Sequence, residues 1–257
     1  MSNMLKQKTL KLANSHLSNV RLNNKQNGFT LIEIAIVLVI IGLLLGGVLK
    51  GQELINTARV RALNNTVDGI TAAWFSFQDR YRGFPGDYSQ ATVNLPDPAG
   101  VIVNGDGNGL VGSTAGEAAE RPNVWIHLAA AGYITGSFDG LAVAEDSYNC
   151  SLATCPDHGF GSGMNLSYTT ESKGAPAADA HELITGAGIP IEVLAELDRK
   201  VDDGMPLTGA MQLGDGAAAG WTTAKSDVCQ RTDAVAGEVY DVTVNISSDC
   251  AAVFRNF

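Results

Sequence analysis

The hydrophobic pattern changes character three times along the chain. Residues 1–28 are polar, with Leu10, Leu12, Leu17, Val20 and Leu22 thinly spread. Phe29 to Leu49 is then apolar on every side, and its 21 residues carry one charge, Glu33. As a helix this run spans about 31 Å, close to the hydrocarbon thickness of a bilayer. From Gln52 the pattern turns one-sided. Leu63, Val67, Ile70, Trp74, Phe77 and Tyr81 recur at alternating steps of four and three, which puts them on one helical stripe. Arg59, Asn65, Asp68, Gln78 and Asp79 fall on the opposite face. The run Arg82-Gly83-Phe84-Pro85-Gly86-Asp87 stops the helix, so the pattern predicts one helix from Phe29 to Arg82, about 80 Å long.

Beyond residue 83 the signals are shorter. Glu117–Gly132 and Ile189–Val201 read as helices, the first closed by Gly132. Leu141–Ala144 and Glu238–Ile246 read as strands, and Leu166–Thr170 as a weaker one. The expected class is α+β. A long N-terminal helical spine, half apolar and half amphipathic, packs on a disulfide-containing globular head with an antiparallel sheet.

Charge sharpens the division. Residues 1–28 hold Lys6, Lys8, Lys11, Arg21 and Lys25 and no acid. That +5 segment precedes a remainder of −15, since the whole chain of 257 residues carries −10. The basic flank predicts a cytoplasmic N-terminus and an outward-facing body. The acidity of the body argues against nucleic acid as a main partner, because phosphate neutralisation needs clustered Lys and Arg. No small-x-small cleavage site follows Leu49, where the sequence reads Lys50-Gly51-Gln52-Glu53.

Gly28-Phe29-Thr30-Leu31-Ile32-Glu33 resembles the processing junction of type IV prepilins and of type II secretion pseudopilins. The resemblance implies that a prepilin peptidase cuts between Gly28 and Phe29 on the cytoplasmic side and N-methylates Phe29. It implies that Glu33, fifth in the processed chain, pairs with the terminal amine of a neighbouring subunit during assembly. Opposite charges attract strongly in a low dielectric, and neither is stable there alone. The chain departs from many relatives in its 28-residue leader and in the absence of proline before Pro85. The implied domains are a cleaved leader (1–28), a spine helix (29–82, with 29–49 in the membrane and later the filament core) and a globular head (83–257).

The head offers further candidates. Asn104-Gly105-Asp106-Gly107-Asn108-Gly109 resembles a calcium loop, with Asn104, Asp106 and Asn108 at alternate positions, but Ala115 stands where an EF-hand has its twelfth-position Glu, and a tight turn or hairpin is the favoured role. Asp202 and Asp203 can also bind calcium, with a turn as the competing role. Apart from calcium no cofactor is expected. Cys150, Cys155, Cys229 and Cys250 all lie in the head and suit an oxidising compartment. Three pairings are possible, and sequential pairing closes two local loops. Zinc fits the spacing poorly.

A membrane-anchored ectoenzyme is the reading from another class. There is no Gly-x-Ser-x-Gly elbow and no P-loop. His181-Glu182-Leu183-Ile184-Thr185 begins like a zincin helix, but Thr185 replaces the second histidine. His16, His127 and His158 sit in unrelated contexts, and no enzyme is expected. The expected function is a structural subunit of a type IV pilus-like filament, with a type II secretion pseudopilin as the alternative. Its partners would be copies of itself, the prepilin peptidase, the inner-membrane pilus or secretion assembly machinery, and the membrane before assembly. It would reside in the inner membrane and then in an extracellular or periplasmic filament.

Overall fold

A computed structural model describes residues 30–97, 100–112, 120–140, 151–170, 172–174, 178–214, 228–243 and 247–257. The chain divides into two compact units, one up to Leu49 and one from Lys50 to Phe257, and the division falls inside a single helix. That helix, α1, runs Leu31–Tyr81 over 51 residues. In the first unit every residue from Leu31 to Leu49 is exposed, and Leu31 is 92% exposed. This stretch is long and apolar enough to cross a membrane.

In the second unit α1 buries one stripe. Val60, Leu63, Val67, Ile70, Ala73, Trp74 and Phe77 are buried, as the three-and-four spacing requires. Trp74 is the centre of an aromatic cluster. Its ring stacks on Phe84 at 5.2 Å and meets Phe257 edge-on at 6.1 Å. The helix ends at Arg82, whose φ of 56° is left-handed and whose N–H donates to Gln78 C=O at 2.9 Å. The expected glycine breaker, Gly83, therefore follows the turning residue.

Three shorter helices follow. α2 is Ala91–Asn94, α3 is Glu120–Ala130 and α4 is Ile191–Val201. Gly132 closes α3 with φ +80°, its N–H bonding Ala129 C=O while Tyr133 N–H reaches Leu128 C=O, both at 3.0 Å. The predicted start of that helix at Glu117 lies outside the described residues. α4 begins two residues later than the pattern suggested. Pro190 is its N-cap, with φ −61° and ψ 140°, and Ile189 is extended and bridged to Cys250.

The main sheet has four antiparallel strands in the order β1 (Asn165–Thr169), β2 (Ala180–Ile184), β6 (Ala252–Phe254) and β3 (Met211–Leu213). Register is set by Ser167 opposite Glu182, Leu183 opposite Phe254 and Gln212 opposite Val253. α3 packs against β1, and α4 packs against β3 and against residues 237–240. β4 (Gln230–Asp233) and β5 (Gly237–Tyr240) form a separate hairpin.

The strand expected over Glu238–Ile246 is shorter than its alternating pattern. Its pairing ends where Tyr240 faces Gln230, and Asp241 N–H then bonds Cys229 C=O while Val242 N–H turns back to Tyr240 C=O. Residues 244–246 and the expected strand Leu141–Ala144 lie outside the described residues. Cys229 and Cys250 form a disulfide with Cα atoms 6.1 Å apart. Cys155 is also disulfide-bonded, and its expected partner Cys150 lies outside the described residues.

His127 of α3 fastens the loops beneath α1. It is fully buried. Its Nδ1 accepts from Gly86 N–H and its Nε2 donates to Val103 C=O, each at 2.9 Å. The Gly86 bond requires a neutral ring with its proton on Nε2, and burial pushes the pKa of His127 down to about 4 although the Val103 bond pulls the other way. Its contribution to stability is therefore complete above the unfolded value of about 6.5 and is lost as pH falls toward 4.

Thermal unfolding followed by circular dichroism should show the midpoint falling between pH 6.5 and 4.5. His127→Gln should start lower and show a flatter decline, and an equally steep one would remove this assignment. Replacing both Cys229 and Cys250 by Ser should cost about 3 kcal/mol, read from denaturant unfolding, because the 21-residue separation restricts the unfolded chain.

Candidate functional site

The start of α1 carries the only charge in the apolar run. Thr30 and Glu33 form a reciprocal cap there. Thr30 N–H and Thr30 Oγ1 each donate to Glu33 Oε2 at 2.8 Å, and Glu33 N–H faces Thr30 Oγ1 at 3.3 Å. This is a capping box, in which the side chain at the first helical boundary and the acid three residues later satisfy backbone donors that have no partner in the helix ladder. It holds the carboxylate toward the N-terminal end of the helix, one residue from Phe29. Gly28 and Phe29 themselves lie outside the described residues. Thr30 did not emerge from the sequence reading as a site residue, although its spacing from Glu33 is the Thr-x-x-Glu signature of such a cap.

Exposure defines the rest of this site. Large aliphatic side chains cover α1 from Leu31 to Leu49 on all faces. Gly42, Gly46 and Gly47 leave open ground, since a Cβ on any of them would meet nothing within 4 Å. The stretch can bury itself only in lipid or against other helices.

The head contains two carboxylate groupings. The first joins Asp87, Asp106 and Glu120, whose oxygens lie within 4.8 Å of one another. The oxygens of this group are occupied. Asp87 Oδ1 accepts from Gly107 and Asn108 N–H at 2.7 and 3.0 Å, and its Oδ2 accepts from Gly109 N–H at 3.0 Å. Glu120 accepts from Asp106 N–H at 3.1 Å and from Gly112 N–H at 2.9 Å. Asp106 accepts from Asn108 N–H and from its side-chain amide. Burial pushes Asp87 and Glu120 above the usual carboxylate range, partly offset by these donors. Gly105 fits only as glycine, because a Cβ would sit 2.2 Å from the Asp87 backbone.

The six-residue Asn–Gly–Asp loop is thus a backbone curl held from inside by two buried acids. Asn104 Oδ1 accepts from Thr92 N–H at 2.9 Å and Asn108 Oδ1 from Leu110 N–H at 2.7 Å, so both point into the loop's own bonding.

The second grouping joins Asp202 and Asp203 with Asp198, a residue the sequence reading did not select. Asp198 and Asp202 are one helical turn apart at the end of α4, a spacing that could have been read. Burial, with the Asp203 and Asp202 charges adding to it, raises Asp198 to about 6, while the Tyr240 hydroxyl and Gly204 N–H pull the other way. His181 and Glu182 lie on strand β2, not on a helix. His181 Nε2 accepts from Val111 N–H at 3.4 Å, and Glu182 pairs with Arg255 at 3.0 Å. Both are committed to structural bonds.

Residues 23–49 match the family model described as the prokaryotic N-terminal methylation motif. No curated protein and no solved structure matches the chain. The matched segment covers the end of the basic N-terminal stretch, the Gly28–Phe29 pair, the Thr30–Glu33 cap and the exposed apolar turns of α1. Over residues 23–49 the chain is thus similar to proteins that carry this motif, which supports a likeness to type IV pilins and pseudopilins.

Proposed function

We propose that the chain is the subunit of a type IV pilus-like filament. Residues 1–28 stay cytoplasmic, α1 inserts in the inner membrane, and residues 83–257 face outward as the head. A prepilin peptidase cuts between Gly28 and Phe29 and methylates the new amine. Residues 29–49 then leave the lipid and pack against the same segment of other copies. The observation that supports this reading most is the stretch Leu31–Leu49 of α1, exposed and apolar on all sides, whose one charge, Glu33, is held at its N-terminal end.

The chemistry is a change of solvent. In the membrane, Glu33 sits near the interface with Thr30 donors as partners. In the filament core it needs a full counter-charge, because an unpaired buried carboxylate costs about 3–5 kcal/mol. The amine created at Phe29 of a neighbouring copy supplies it. Before cleavage, the peptide bond at residue 29 offers no such charge, so processing and polymerisation are linked by electrostatics. The small faces at Gly42, Gly46, Gly47 and Gly51 let neighbouring helices approach closely. The oxidised cysteines suit a head folded outside the cytoplasm.

Intact-mass measurement of protein sheared from cells should give a chain beginning at N-methylated Phe29. A surface protein that retains residues 1–28 would instead be a plain anchored domain. Glu33→Ala should insert and be cleaved normally but reduce filament yield more than about a hundredfold, the equivalent of about 3 kcal/mol per contact. Unchanged yield would remove the charge-pair step. Electron microscopy of the same sheared material decides the fibre type, since long fibres support a pilus and their absence with intact secretion favours the short pseudopilus.

A further inference from the structure

The C-terminal end of α4 carries a feature that filament assembly does not use. Asp198, Asp202 and Asp203 each place a carboxylate oxygen within 4.8 Å of the other two. A helix C-terminus is an unfavourable place for three anions, because its unbonded carbonyls already present partial negative charge. Asp198 is 0% exposed. Its Oδ2 accepts the Tyr240 hydroxyl at 2.8 Å. Its Oδ1 is buried and no donor meets it in hydrogen-bond geometry, the Gly204 N–H acting on the carboxyl only as a weaker neighbour. A buried carboxylate oxygen left in that state is costly unless a cation or a proton meets it.

Among the described residues no neighbouring charge supplies that cation. No Lys, Arg or His among the described residues forms an ion pair with any of the three. Lys200 is held by Glu196 at 2.5 Å, and Arg231 faces Asp233 and Asp241. The outer two acids instead organise the following loop. Asp203 accepts from Met205 N–H at 2.8 Å and from the Thr208 hydroxyl, while Asp202 accepts from Ala210 N–H and from Met211 N–H at 3.2 Å. The contrast with Asp87 and Glu120 is direct. There the buried oxygens are occupied by backbone donors, and here a buried oxygen is not.

We propose that Asp198, Asp202 and Asp203 bind one calcium ion. The donors are all hard oxygens, with no thiolate or imidazole in the group, which selects against zinc and for an alkaline-earth ion. An irregular acidic loop end suits calcium, which accepts variable geometry, better than magnesium, which demands a tight octahedron. Bound there, the ion would tie the end of α4 to the loop reaching β3, and through Tyr240 to the β4–β5 hairpin inside the Cys229–Cys250 loop. This inference stands independently of filament assembly.

The test uses the full chain in detergent, stripped with a chelator and dialysed, with calcium chloride as the probe. Equilibrium dialysis with radioactive calcium should give one ion per chain. Saturating calcium should raise the unfolding midpoint by about 5 °C, with a much smaller effect of magnesium. Asp203→Asn, at an exposed position, should weaken binding at least about tenfold. Asp198→Asn should abolish the calcium-dependent rise and make the calcium-free protein more stable than the parent. Should Asp198→Asn not fold, Asp203→Asn decides alone. Three results would overturn the proposal. One is no calcium bound by the parent chain. Another is parental binding in the variants that fold, which would place the ion elsewhere. The last is stabilisation that follows pH and ignores calcium, which would give Asp198 a proton instead.

Discussion

A helix that is apolar on every side cannot remain in water, and this constraint governs the first unit. Each fully buried Leu, Ile or Val side chain is worth about 1.5–3 kcal/mol relative to exposure. More than a dozen such side chains stand exposed between Leu31 and Leu49. Shelter in lipid or among like helices is therefore obligatory for that stretch. Glu33 is the exception that gives the segment direction, since a carboxylate tolerates such shelter only where donors or a counter-charge meet it. Thr30 supplies donors within the same chain. From Val60 onward α1 obeys a different rule. Only one stripe is apolar, and the remainder of the second unit covers it.

The head solves a separate problem. Among the described residues it has little regular structure, so few of those loop donors can be satisfied by strand or helix ladders. Carboxylates take over that role. Asp87 and Glu120 gather the N–H groups of residues 106–109 and Gly112, and Asp97 receives Val101 and Ile102 N–H at 3.0 Å each. Asp233 does the same for the tip of the hairpin. Part of the negative charge of the chain is thus internal scaffolding rather than surface decoration. A carboxylate accepts several donors at once and bonds them more strongly than a neutral oxygen would.

Legibility followed the length of each pattern. The α1 stripe repeats over five turns, and its buried residues match the spacing. Gly132 marked the end of α3 because a left-handed closing turn favours glycine. The strands were mostly hidden. β3 and β6 are three residues each, too short to display alternation, and β2 carries His181 and Glu182 in a run that looked helical. Glu238 onward alternated past the point where its partner strand stops, and only the partner could reveal that limit. At the candidate sites, Glu33 was visible as an isolated acid, whereas Thr30 became meaningful through the cap geometry. Asp87 and Glu120 lie far from the Asn–Gly–Asp loop in sequence, so their hold on it was not readable from spacing.

The strand order has a consequence for how the head comes into being. β6 lies between β2 and β3, yet it is drawn from residues 252–254, after every other strand has passed. A chain synthesised only as far as β3 would leave an open slot between β2 and β3. The four-stranded sheet therefore cannot be completed until residues 252–254 are available to fill that slot.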